Sequence, residues 1–369
     1  MTESRLKDSP RILGQLLAVT MLLLLITIGE RLQAQVGGSY TYSFLNLSPS
    51  ARVSGLAGFA LTHVDRDLTV GYQNPAAYNP EMHRRIAFAH AFYPAGIQHG
   101  YAAYAHHSEK LNTTFGGGIL YRSYGRMQRT DPTGAQQGGF SASDYIIQAG
   151  ASWHSSDKLS YGANLKLIYS QLESYSSVGM AADLAVTYND TASMFTATLL
   201  FKNAGAQFKP YTPGQRESIP LDIQVAVSKR LRHLPLRISA VVHDIHRGDI
   251  RYDDPNAVDD SQLFFGEEEP EEPGYIADKI FRHIAFSGEF YFGESFRVRL
   301  GYDHQGRGEL GVDSRPALTG FAGGFGLRIK QFHLDYGHVV HHLSGRNNHL
   351  TVTTSLSDFG SKKRKAAAE

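Results

Sequence analysis

The stretch Tyr161–Leu172, YGANLKLIYSQL, decides the fold. Tyr161, Ala163, Leu165, Leu167 and Tyr169 alternate with Gly162, Asn164, Lys166 and Ser170, and only Ile168 breaks the order. Side chains of a strand point alternately to its two faces, so one face here is greasy and the other carries a lysine. The same pattern recurs along the chain. We read fourteen strands: 86–93, 96–107, 112–124, 143–155, 159–171, 178–189, 193–204, 220–232, 236–246, 282–292, 295–305, 319–330, 331–343 and 347–357. Most run roughly 10–13 residues, against the ~5–6 usual in soluble proteins. A tilted strand crosses a bilayer with about 9–11 residues.

The two faces differ consistently. Met180, Ala182, Leu184, Val186 and Tyr188 share a face, as do Phe296, Val298, Leu300 and Tyr302; Asp183, Thr187 and Asn189, or Arg297, Arg299 and Asp303, oppose them. Unpaired strand groups cannot face lipid, so a sheet in a membrane closes on itself, apolar side out. The expectation is an all-β, 14-stranded antiparallel transmembrane barrel, with Leu165 and Leu167 on lipid and Lys166 in a wet or plugged lumen. The alternative, a soluble β-sandwich, fits the strand lengths poorly.

The connections support the barrel. Those after strands 2, 4, 6, 8, 10 and 12 are short, and those after 3, 7, 9 and 11 are long, the longest spanning 246–281. Outer-membrane barrels have short periplasmic turns and longer external loops. Both termini are therefore expected in the periplasm of a Gram-negative cell. Tyr188, Phe290, Tyr291, Phe292 and Tyr302, near strand ends, read as an aromatic girdle.

Arg5, Lys7 and Arg11 precede an apolar run from Ile12 to Ile28, and a small residue stands at Ala34. We read 1–34 as a secretory signal peptide cut near Ala34–Gln35 rather than a membrane anchor, because Gly14, Gln15 and Thr20 interrupt the run. Residues 35–85 form an N-terminal hatch or plug, 86–359 the barrel, and 360–369 a basic tail. The tail reads as solvated, and Phe359 resembles the terminal aromatic of barrel assembly signals. Net charge is +1 in 369 residues, which gives no pull toward nucleic acid. The chain has no cysteine, so disulfides, thiolate metal sites and cysteine nucleophiles are excluded.

Chemistry-bearing patterns are few. The 17 histidines include His338, His341 and His342, but one strand face supplies two of these at most, short of the three or four ligands that zinc needs. No G-x-S-x-G and no phosphate-binding loop is present. No enzyme, metal or cofactor is expected. The stretch from Asp249 to Asp278 is acidic and encloses Leu263, Phe264 and Phe265, which read as a partner-binding triplet on an external loop rather than a calcium site. Lys166, Asp183, Lys202, Asp222, Glu289, Arg297, Arg299 and Arg328 read as luminal charges, with Arg52 of the hatch paired to Asp183 or Glu289. Gly116–Gly118 and Gly323–Gly324 are candidate breaks that would kink a strand and open a lateral path.

Residues 37–58, GGSYTYSFLNLSPSARVSGLAG, resemble the mature start of the PorQ-like outer-membrane proteins of the type IX secretion system. Asn74-Pro75-Ala76 resembles a motif shared with PorV-like proteins and the wider FadL-like barrel group. The resemblance implies a non-enzymatic barrel in the surface attachment complex. There it would hold a PorZ-like surface protein and work with PorU and PorV, which release cargo and couple it to lipopolysaccharide. Two other functions fit such a barrel: FadL-like transport of long-chain fatty acids or other hydrophobic compounds, and a surface enzyme acting on lipid or peptide, for which no motif speaks.

Overall fold

A computed structural model of the chain describes residues 40–250, 275–310, 318–342 and 345–359. Alternation has its expected consequence. The strands are β1 (Arg85–Phe92), β2 (Gln98–Ser108), β3 (Thr113–Thr130), β4 (Gln136–His154), β5 (Leu159–Leu172), β6 (Tyr175–Asp190) and β7 (Phe195–Lys209). They continue as β8 (Asp222–Arg230), β9 (Leu236–Val242), β10 (Ile284–Phe292), β11 (Phe296–Asp303), β12 (Phe321–Ile329), β13 (Phe332–His342) and β14 (Gly345–Ser355). Each pairs antiparallel with its neighbours in sequence, and β1 pairs with β14 from Arg85–Ser355 to Phe92–Asn348, closing the barrel. Closure removes every sheet edge, which is the condition for a sheet to sit in lipid.

The two faces fall as the chemistry requires. Leu165 and Leu167 are 46% and 50% exposed on the outer surface, and Lys166 between them is fully buried inside. Phe88, Ile119, Ile147, Leu184, Leu199, Ile238, Leu300, Phe325 and Leu350 extend the outward apolar surface around the wall. Arg299 points into the lumen and is 1% exposed. This is an outer-membrane-type barrel.

The wall is uneven. On one side β3 and β4 have 18 and 19 residues; on the other β9 has 7 and β11 has 8. The connections 109–112, 155–158, 191–194, 231–235, 293–295 and 330–331 lie at the end where β1 begins and β14 finishes, here the terminal end. The opposite, loop end carries 243–250, 275–283, 304–310 and 318–320, with helices α2 (Tyr275–Arg282) and α3 (His304–Leu310) joined through Asp278, which pairs with Arg282 (2.7 Å) and His304 (3.0 Å).

The connection after β3 is not a long loop. β3 and β4 continue as a hairpin to a tight turn in which Asp131 accepts hydrogen bonds from the Thr133 and Ala135 amides, and its tip reads as loop only because its residues are polar on both faces.

The lumen is filled by residues 40–84. After a 3-10 turn at Ser43–Asn46 comes helix α1 (Ala51–Gly55), whose first turn is capped by the Ser50 hydroxyl accepting from the Val53 amide. Three more 3-10 turns follow, each capped by a side-chain oxygen of Asp67, Asn74 or Asn79. Short turns with Asx caps satisfy their own backbone in a confined space, where neither sheet nor long helix fits.

Candidate functional site

Two cavities lie at opposite ends of the filled lumen, so the contacts that hold the filling segment decide what the barrel can pass. On the tall side these contacts are mostly uncharged. Phe44, Leu45, Leu68, Tyr72 and Tyr78 pack on Leu120, Ile146 and Ile168 of the wall. Ile168, the one break in the pattern of β5, is an inward residue whose part of the lumen is a dry core. Asn74 accepts from the Ala76 amide and donates to the Leu61 carbonyl (2.7 Å) and the Thr187 hydroxyl (3.0 Å). The following Pro75 lies against Gly162, where a Cβ would overlap the Pro75 carbonyl group. Gly162 is therefore the seat that the Asn74-Pro75-Ala76 turn needs.

Lys166 is the charge on this side. Its ammonium lies 2.7 Å from Asp183, donates to Asn203 (3.1 Å) and sits 4.6 Å above the Tyr72 ring. Asp183 also accepts from the Asn203 amide (2.8 Å) and the Asn164 side chain (3.2 Å). Asn203 has φ +58° at a register shift between β6 and β7, which turns its amide toward the carboxylate. The pair is fully desolvated, and both partners have further polar contacts, the condition under which a buried ion pair persists.

On the short side charge does the holding. Arg52 of α1 makes a fork to Asp65 (2.8 and 2.8 Å) and a second contact to Glu289 of β10 (3.0 Å), with Asp67 at 3.4 Å. Glu289 also accepts from Arg299 (2.8 Å) and from the Tyr291 hydroxyl, and Arg299 reaches Asp335 (2.6 Å). Burial works against the Arg52 charge, but Asp65 and Glu289 outweigh it and hold the guanidinium well above its ordinary pKa. Burial likewise opposes the Asp65 charge, and Arg52 overcomes it, holding the carboxyl below its usual range. His63 lies 3.5 Å from Glu289, yet burial dominates and pushes its imidazole down to about 4. Beneath this network α1 lies on bare backbone: a Cβ at Gly55 would come within 3.3 Å of the Gly324 Cα.

The sequence-derived residues fall as follows. Arg52 joins Glu289, while Asp183 belongs to Lys166. Arg297 points inward and reaches Asp65 at 3.6 Å. Lys202 is buried beside Asp222 and lines the cavity at the loop end. Arg328 is exposed at the rim of the terminal-end cavity. Leu263, Phe264 and Phe265 lie outside the described residues.

Two expectations are corrected. Tyr291 is no girdle residue: it shares the inward face with Glu289, two residues away, and binds it. Gly116–Gly118 and Gly323–Gly324 open no lateral path, because the ladders on both sides run through them without a shift in register. Gly116 instead makes room for the Tyr78 ring. Asp65, Asp67, His63 and Asp335 were not singled out by sequence reasoning. The one local signal was Asp65–Arg66–Asp67, an acidic doublet within a segment otherwise read as hatch.

The loop-end cavity measures about 230 Å³ and mixes Leu47, Phe59, Tyr93 and Val339 with Lys202, Asp222 and His243. The terminal-end cavity measures about 610 Å³ and is rimmed by charge. The plug and the Arg52 network separate them.

No protein-family profile matches the chain, and no curated protein matches it. Among solved structures it is similar to the toluene transporter TodX of Pseudomonas putida, with TM-score 0.47 and 12% identity over 84% of this chain and 97% of that one. It is similar also to the CymD monoaromatic hydrocarbon channel (0.49, 10%, 84% and 98%) and to a Pseudomonas aeruginosa FadL homologue (0.49, 11%, 83% and 98%). These are likenesses of barrel shape.

Proposed function

We propose that this protein is a sealed outer-membrane barrel that holds a surface complex in place, as a non-enzymatic docking component of the type IX secretion machinery. Its terminal end would face the periplasm and its loop end the outside. The observation that carries this reading is the Arg52 network. A guanidinium 2% exposed, forked to Asp65 and tied to Glu289 of the wall, bars the lumen with groups whose separation would leave charges buried and unpaired. A wall so closed is suited to anchoring rather than to passage. The partners proposed are a PorZ-like surface protein, with PorU and PorV in one complex, and lipopolysaccharide as the acceptor of cargo. Leu263, Phe264 and Phe265, in the longest connection, are the proposed contact.

The test is co-purification from native outer membrane. The surface protein should accompany the wild-type barrel and be lost when Leu263, Phe264 and Phe265 are replaced by serine, with the barrel still assembled. A wild-type barrel recovered without protein partners would reject the docking role.

A second reading is transport of hydrophobic compounds, the kind of cargo for which TodX and CymD are named. The loop-end cavity favours it, because Leu47, Phe59, Tyr93 and Val339 give it an apolar wall. Uptake of fluorescent long-chain fatty acid into vesicles holding the purified barrel would establish transport and displace the docking reading.

A further inference from the structure

The terminal-end cavity carries more positive charge than its own carboxylates can neutralise, and the excess sits at its mouth. Eight basic side chains line it against six acidic ones. The acids are mostly taken. Asp65 and Asp67 are held by Arg52, Asp335 by Arg299, and Glu81 by Arg66. That leaves Arg85, Arg230, Arg328 and Lys330 to share Glu294 and Asp358. Granting each of those two acids one of the four cations still leaves two cations of the lining without a carboxylate of the lining to match them.

The barrel's register assembles this excess from distant stretches. Arg230 stands directly opposite Arg237 across β8 and β9, a like-charge pairing that costs stability. Tyr291 lies between two guanidiniums, with Arg230 4.7 Å and Arg297 5.2 Å from its ring centre. Stacking on a ring fixes a guanidinium while leaving its edge N–H donors free. The Nε of Arg85 is buried with no hydrogen-bond partner. Arg328 and Lys330 end β12 and open its turn to β13, so both ride on rigid backbone.

We propose that the terminal-end cavity is a binding site for a phosphate-bearing anion carrying more than one negative charge. Guanidiniums bind phosphate oxygens in pairs and an ammonium adds a point charge, which is the combination present. Spread around about 610 Å³, these cations suit neighbouring phosphate groups better than a single small ion. The anion is either a free one or the headgroup of an anionic lipid in the adjoining leaflet, and the experiment separates the two. The site does not depend on the docking or the transport reading.

The test uses the full barrel in nanodiscs of phosphatidylcholine alone, titrated with pyrophosphate by calorimetry at low salt. Saturable binding is expected. The double variant Arg328→Gln/Lys330→Gln should weaken it about tenfold or more. Both side chains are exposed at a rim, and an unchanged melting temperature confirms that the variant is folded. Arg66→Gln, which removes a cation already committed to Glu81, should change affinity less than about twofold. In nanodiscs containing phosphatidylglycerol, retained pyrophosphate binding identifies a free anion as the occupant; suppressed binding, restored when that lipid is omitted, identifies the headgroup. No saturable binding in phosphatidylcholine, or equal loss in the double variant and Arg66→Gln, overturns the proposal.

Discussion

Between β3 and β7 the wall is tall, and the segment inside it is held by aromatic rings, aliphatic side chains and uncharged hydrogen bonds. Between β9 and β13 the wall is short, and the same segment is held by charge. The tall side spreads its hold over Tyr72, Tyr78, Leu45, Asn74 and their partners, so each contact contributes modestly. The short side concentrates its hold, because Glu289 receives Arg52, Arg299 and the Tyr291 hydroxyl at once. A distributed hold tolerates loss and a concentrated one does not, and four substitutions rank the two against each other.

Glu289→Ala should be the most damaging. It leaves two guanidiniums, Arg52 2% and Arg299 1% exposed, without their shared acceptor. Removing one partner of a buried pair costs about 3–5 kcal/mol; Arg52 keeps Asp65 and Arg299 keeps Asp335, but both lose a carboxylate at once, which places the cost within that range. Urea unfolding in detergent measures it, and a loss below about 1 kcal/mol would remove the distinction between the two sides.

Asp183→Asn asks whether the tall side hides a charge dependence of its own. Lys166 would lose its counter-charge but keep Asn203 and the face of Tyr72, so the cost should reach only the lower part of that range, about 3 kcal/mol. A larger cost than that of Glu289→Ala would reverse the ranking.

The third probe is pH. His63 is held neutral by burial, its pKa down at about 4 against about 6.5 when unfolded. A folded-state pKa below the unfolded one means that the unfolded chain binds more protons between those values. Stability from this group is then full above about pH 6.5 and is lost as pH falls toward 4. From pH 7 to 5 the loss should be about 1–2 kcal/mol, and His63→Leu should flatten it. An equal slope in the variant would show that the short side tolerates a protonated imidazole beside Glu289.

The same contrast explains what the sequence disclosed. Alternation marks which way a side chain points but not what it meets there. All fourteen strands and the inward direction of Lys166, Asp183, Glu289 and Arg299 were legible, because lipid outside imposes one rule on every strand. The inside has no single rule. Ile168 and Ile146 point inward onto an apolar plug, and Tyr291 points inward onto a carboxylate, so an inward residue can be of any kind. Arg52 and Glu289 were both candidates, yet they are 237 positions apart and only closure of the barrel brings them together. Glycine runs were ambiguous for a similar reason: Gly116 signals either a kink or a ring pressed against backbone, and the ring is Tyr78 of a remote turn.

Asn74→Ala should have the smallest effect and is the sharpest test of distribution. The side chain caps the turn at Pro75–Ala77 and ties it to the Leu61 carbonyl and the Thr187 hydroxyl. Loss of a cap costs about 0.5–2 kcal/mol, and the Leu61 carbonyl is not stranded, because the Thr198 hydroxyl still donates to it at 3.3 Å. The Thr187 hydroxyl keeps Thr198 as a partner at 2.9 Å, so it is not stranded. Ser152 and Ser160 still donate to the Ala76 carbonyl, and Pro75 still rests on Gly162, so the turn should stay seated. The expected cost is about 1–2 kcal/mol, with the plug still protected from protease at the terminal end. Release of the plug by this one substitution would mean that the tall side also hangs on a single residue.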